Sequence, residues 1–231
     1  MFKSATVSAL LCLLIAPQAG AAEIIELTQY HNEELKVPSG QMWLGLFPAK
    51  AGQYELRATK VAITLVNDPI GDQSPKEKTG KKVSIAGKQE PFVLMRGITG
   101  LKEGKVVTSS TNKKEHLDIN EMLKFKVGTS ETTLRVTGSP TKLDGEDFRA
   151  DYAIVLDGGG IKQTLFQSKQ VSPQYAPSLL WAGDLDGDGK IDLIMDTSTD
   201  YNARILTLFL STKAKAGNLV EEVASRLSTG C

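Results

Sequence analysis

Cysteine and histidine are nearly missing from this chain of 231 residues, which has two of each. Of the cysteines, Cys12 lies in an N-terminal apolar run and Cys231 is the last residue. So sparse a set excludes a disulfide framework and argues against zinc or copper, whose sites draw on clustered His and Cys. Cys231, the one cysteine beyond the N-terminal run, can stay free, bind a small thiol or pair between two chains. A disulfide-linked homodimer through Cys231 is therefore one state open to the protein. His31 in "QYHNEE" and His116 in "NKKEHLD" have polar neighbours and read as surface residues. Neither a G-x-S-x-G elbow nor an H-E-x-x-H zinc helix occurs. "GLKEGKVV" (100–107) lacks the spacing and the Ser/Thr of a phosphate loop. No catalytic residue can be named. Glu146, Asp147 and Asp151 form the one acidic group that could hold an acid/base pair, but their polar neighbours suit a solvated loop better.

Charge of one sign is also lacking, with 27 basic and 27 acidic residues. That balance leaves no overall electrostatic footprint for nucleic acid or an anionic membrane. The densest basic patch, "KEKTGKK" (76–82), contains a Glu and a Gly and follows Ser-Pro, so it reads as a solvated loop. Beyond the first residues, no apolar run is long enough to cross a bilayer as a helix.

Those first residues have the parts of an export signal. Lys3 is a positive n-region, "ALLCLLIA" an apolar core, and Ala19-Gly20-Ala21 a small-residue cleavage pattern. Cleavage near Ala21 or Ala22 would make residues 1–22 the signal peptide and residues 23–231 the mature chain, periplasmic or secreted. Losing Lys3 leaves 26 basic against 27 acidic residues, a net charge near −1.

The mature chain reads as β nearly throughout. "QMWLGLF" (41–47) and "QYELRATKVAITLV" (53–66) are rich in aromatic and β-branched residues, with a turn over Pro48 to Gly52 between them. In "LKFKVGTSETTLRV" (123–136), apolar residues alternate with charged or hydroxyl residues on either side of a "GTSE" turn. That is the pattern of an antiparallel hairpin with one wet face. "DYAIVLDGGGIKQTLF" (151–166) turns at Asp157 to Gly160. The segment 218–230, "NLVEEVASRLSTG", fits either a short C-terminal helix or a closing strand. These readings predict an all-β fold of mainly antiparallel sheets, sandwich-like or partial propeller-like. A division near 140–150 would separate an N-terminal β region from a C-terminal region.

That C-terminal region contains "WAGDLDGDGKIDLIMD" (181–196), which places Asp184, Asp186, Asp188 and Asp192 within nine positions. A turn needs one or two such residues; four repel one another. Calcium, which takes six to eight oxygens, resolves the repulsion. With Asp184 as position 1, carboxylates fall at 1, 3, 5 and 9, and Lys190 at position 7 offers its backbone carbonyl. Gly187 and Gly189 let the chain bend, and Ile191 points away into the core. The twelfth position, where an EF-hand has Glu, is Met195, and strand-like flanks replace helices. The loop is thus expected to join two strands.

"GDLDGDGKIDLI" resembles the D-x-D-x-D-G-x-x-D calcium loop of the FG-GAP/VCBS repeat, found in integrin α-chain propellers and many exported bacterial proteins. The resemblance covers residues 179–211, a single repeat with no second copy in the chain. It implies Asp184, Asp186, Asp188 and Asp192 as side-chain ligands of Ca2+ and Lys190 as a carbonyl ligand. The expectation is an exported, non-catalytic calcium-binding β-protein of the cell envelope. Its partner would be an envelope protein or glycan, and the ion would stabilise a hairpin loop. The alternative is a calcium-dependent hydrolase acting on an envelope polymer or glycan.

Overall fold

The computed structural model describes residues 21–110 and 115–230. Nearly all of the expected signal peptide, and Cys231, fall outside that range. The first strands are β1 (Glu23–Ile25), β2 (Gln29–Tyr30), β3 (Met42–Pro48), β4 (Tyr54–Val66), β5 (Gly80–Ile85), β6 (Leu94–Arg96) and β7 (Gly104–Ser110). Hairpin strands follow as β8 (Met122–Val127), β9 (Ser130–Leu143), β10 (Glu146–Gly158) and β11 (Ile161–Val171). The chain ends with β12 (Ser178–Asp184), β13 (Asp192–Asp196), β14 (Ala203–Leu210) and β15 (Glu221–Thr229).

All the pairings are antiparallel, as expected. Eleven strands form one sheet along the path β1-β6-β3-β4-β7-β12-β13-β14-β15, with β5 and then β2 branching from β4. This sheet curls until β1 lies beside β15, making a nearly closed, barrel-like wall. The seam is tied by side chains. Glu23 receives Arg96 on one carboxylate oxygen (Nε, 3.0 Å) and Arg226 on the other (3.3 Å), and Arg226 also donates to the Glu34 carbonyl (2.9 Å).

Between β7 and β12 the chain leaves the barrel-like sheet to build a four-stranded meander, β8 to β11. Residues 140–150, near which a division was expected, are the β9–β10 hairpin, closing at Leu143 opposite Glu146. The meander lies across β12, β13 and β14. Phe125, Leu134, Ile154 and Leu156 share a core with Leu179, Ala182, Leu193, Met195 and Phe209. The opposite side of β12–β14 faces the barrel interior, where Trp181, Ile194, Leu206 and Leu208 meet Leu46, Leu56 and Val106.

β13 is therefore covered on both faces, which explains why "LIM" is a continuous apolar run rather than an alternating one. A bulge between Leu179 and Trp181 sends these two side chains, two positions apart, to opposite layers, and the register also shifts between Leu208 and Phe209.

The ambiguous segment 218–230 contributes a strand, so the possible C-terminal helix does not form. β15 pairs with β14 from Ala203 opposite Thr229 to Leu210 opposite Glu221. A helix would have buried Leu219, Val220, Val223 and Leu227 along one stripe. In the strand Leu227 is exposed, while Val220 and Ala224 are buried in different cores. Pairing to an otherwise open edge of a large sheet outweighs the weak helical preference of Glu and Ala.

Candidate metal centre

The acidic loop joins β12 to β13, two strands as its flanks predict. It closes on the pair Gly183–Asp192. A side chain at position 183 is impossible, because a Cβ there would stand 2.3 Å from the Val107 carbonyl oxygen and 2.6 Å from the Trp181 ring. The loop is pinned on both sides. Leu185 is buried in the barrel interior, and Ile191 is buried in the core under the meander. Gly187 and Gly189 have φ of +81° and +78°, the left-handed region where glycine is free of the Cβ penalty.

Within this frame Asp184 organises the backbone. Its Oδ1 accepts the N–H of Gly187 (2.7 Å) and of Asp188 (3.0 Å), and its Oδ2 that of Gly189 (2.9 Å). Asp188 Oδ1 accepts the N–H of Lys190 at 2.8 Å, whose side chain is exposed. One carboxylate oxygen from each of Asp184, Asp186 and Asp188 lies within 4.8 Å of the other two. This cluster could hold a metal ion.

Two features show that the residues fit a cation. Asp186 Oδ1 is buried and accepts no hydrogen bond, while Oδ2 of the same carboxylate accepts from the Thr212 hydroxyl. A carboxylate oxygen withdrawn from water without a partner carries a desolvation penalty that a cation removes. The donor set is also entirely oxygen, which suits hard ions and gives no Cys or His for zinc or copper.

Asp192 stands apart from the cluster. It is fully buried, and its oxygens accept the N–H of Leu185 (2.7 Å), the N–H of Ser211 (2.8 Å) and the Ser211 hydroxyl (2.9 Å). Burial pushes its carboxyl up to about 7, and the Asp186 charge adds to this, against the downward pull of the Ser211 and Leu185 hydrogen bonds. In this arrangement Asp192 is a tether that ties the start of the loop to the β14–β15 connection. Ser211 and Thr212, which hold Asp192 and Asp186, carry no mark in the sequence. They lie 19 and 26 positions from the carboxylates they bind, and only the sheet brings them there.

Elsewhere the polar candidates stay simple. His116 is exposed, as expected, but His31 is not a free surface residue; its Nδ1 meets Asp68 Oδ1 at 2.7 Å. Burial raises the Asp68 carboxyl, yet hydrogen bonds from the Gly71 and Ile70 N–H groups and from His31 bring it below its ordinary value overall. Glu146, Asp147 and Asp151 are all exposed, on and beside a hairpin. Among the described residues, no helix is long and apolar enough to cross a membrane. In comparisons with known proteins, no family model, no curated protein and no solved structure matches the chain.

Proposed function

We propose that this is an exported, non-catalytic calcium-binding β-protein of the cell envelope, in which the ion locks the β12–β13 loop of a binding or interaction module. The observation that carries this reading is Asp186, whose buried, partnerless oxygen lies in a cluster of three carboxylates on a doubly anchored loop. Asp184, Asp186 and Asp188 would supply side-chain oxygens and Lys190 its backbone carbonyl. Asp192 would act directly or through water. The likeness to the FG-GAP/VCBS loop rests on these residues alone. Calcium is favoured over magnesium because several protein oxygens converge in a flexible loop, whereas magnesium keeps most of its waters in a strict octahedron.

The ion would be structural. It would neutralise the loop between two cores and add stability by mass action. Sites with dissociation constants of roughly 10⁻⁴–10⁻³ M are sufficient outside the cytoplasm. Export would follow from the Lys3-to-Ala22 signal, and Cys231, two residues beyond β15, would offer a link between chains. Calorimetric titration of chelator-treated protein with CaCl2 and MgCl2 tests the site. Saturable calcium binding, absent in Asp186→Ala, is expected; a flat calcium isotherm for the intact protein would end the reading. N-terminal sequencing of the exported protein tests cleavage near Ala21/Ala22, and a non-reducing gel against Cys231→Ser tests the dimer.

A further inference from the structure

At the end of the β12–β14 layer remote from the acidic loop, two tyrosines stand in the open. Tyr201, in the β13–β14 connection, is 78 % exposed. Tyr175, in the turn before β12, lies beside it with ring centroids 6.0 Å apart and planes tilted by 51°. Water is an unfavourable neighbour for two adjacent aromatic faces, and neither ring serves a core. Tyr201 also forms one wall of a groove of about 250 Å³, whose other walls include Thr28, Gln29, Asn202, Arg204 and Ser228.

The groups in this groove restrict what fits. Arg204 is the one cation, and it is already neutralised by Glu26 at 2.9 Å with Asp196 at 4.0 Å, so the groove is not built for an anion. The wall is too rich in amides and hydroxyls for a lipid chain. Three backbone groups at the rim that a peptide strand could use are already engaged. The Gly230 N–H goes to the Asn202 carbonyl (3.1 Å), the Thr229 N–H to Glu34 (2.9 Å), and the Thr28 carbonyl accepts from Val83 (2.9 Å). Among the described residues, the Thr28 and Ser228 hydroxyls, the Asn202 amide and the Tyr201 phenol have no hydrogen-bond partner. A flat aromatic face ringed by uncharged donors and acceptors suits a ligand with an apolar C–H face and a hydroxyl rim.

We propose that Tyr175, Tyr201 and this groove form a binding site for a neutral oligosaccharide. A hexopyranose ring would stack on Tyr201, its hydroxyls would be met by Asn202, Ser228 and Thr28, and the chain would continue over Tyr175. The proposal rests on the binding-module reading above but not on the ion. β13 alone separates the groove from the acidic loop by roughly 16 Å at about 3.3 Å per residue. Sugar binding is therefore independent of calcium.

The test is a set of amide NMR titrations of the mature chain with chitohexaose, cellohexaose and maltohexaose at up to about 10 mM, enough to register a site with a dissociation constant of about 1 mM. At least one sugar should shift Tyr175, Tyr201, Asn202 and Ser228, equally in CaCl2 and in EGTA. Tyr201→Ala should weaken binding about tenfold, the size expected for losing a contact aromatic, and Tyr201→Phe much less. Tyr201 is exposed, so both variants should keep the parent melting temperature. Silence of these residues toward all three sugars would overturn the site, as would response there to a proline-rich peptide alone. Calcium titration of the same sample is a separate readout, so loss of one result leaves the other intact.

Discussion

Asp186→Asn should make the chelated protein more stable and the calcium-loaded protein less stable than the parent. In chelator, the parent keeps three carboxylates with oxygens within 4.8 Å of one another. At an effective dielectric constant of about 20, each such pair costs roughly 3.5 kcal/mol. Asp186 and Asp188 are half-exposed, and the Asp184 carboxylate accepts three backbone N–H groups, so solvent and hydrogen bonds reduce this severalfold. The buried Asp186 Oδ1 also gives way to a neutral amide group, which is cheaper to leave unpaired than a charged one. The expected gain in chelator is about 1 kcal/mol.

Calcium, if it is the ion of the proposed site, should reverse the order. At a hundredfold excess over the dissociation constant, the parent gains about 2.7 kcal/mol. For a domain of this size that raises the melting temperature by roughly 5–10 °C. The substitution removes a charged ligand, so the variant should gain less than about a third of that. Four scanning-calorimetry traces, parent and variant in EGTA and in CaCl2, should therefore cross. A parent that melts at the same temperature in both buffers refutes the ion. A variant that melts below the parent in EGTA refutes the argument from crowded charge.

Ile191→Ala should cost about 2–4 kcal/mol in urea unfolding, because it empties a buried anchor between the loop and the meander. Gly187→Ala meets no atom within 4 Å, so its cost, about 1–2 kcal/mol, is the left-handed backbone alone, and it should also weaken calcium titration. Acid sensitivity should fall in Asp118→Asn. The bidentate hydrogen bonds from Arg149 (2.7 and 2.9 Å) hold the Asp118 carboxyl below its ordinary value despite burial, so the folded state binds fewer protons than the unfolded one. That stability is complete above about pH 4 and drains away as pH falls through the lower folded value, so the urea midpoint should drop less between neutral and acid pH in the variant. Glu23→Gln should loosen the barrel seam by leaving Arg96 and Arg226 without a carboxylate, which faster amide exchange in β1 and β15 than in β9 and β10 would report.

The hairpins at 123–136 and 151–166 were legible because an antiparallel strand with one wet face writes its period of two into the chain. The acidic loop was legible for a related reason. Its carboxylates, its bending glycines and its two apolar anchors all lie within nine positions, so local spacing alone brings them together. His31 shows the limit of the same method. Nothing in "QYHNEE" points to Asp68, 37 residues away, yet His31 Nδ1 and Asp68 Oδ1 meet at 2.7 Å.

The sequence by itself determined the strand-rich class, the hairpin turns and a carboxylate-rich loop between two strands, since each depends on neighbours only a few bonds apart. Tertiary structure alone decided the rest. It made 218–230 a strand by offering β14 as a partner, and it covered both faces of β13 with separate cores. It drew Asp192 away from the other carboxylates onto Ser211 and left one oxygen of Asp186 buried and unpartnered. Those outcomes depend on which surfaces meet after the sheet has curled, and no local pattern encodes a contact between residues that the chain keeps far apart.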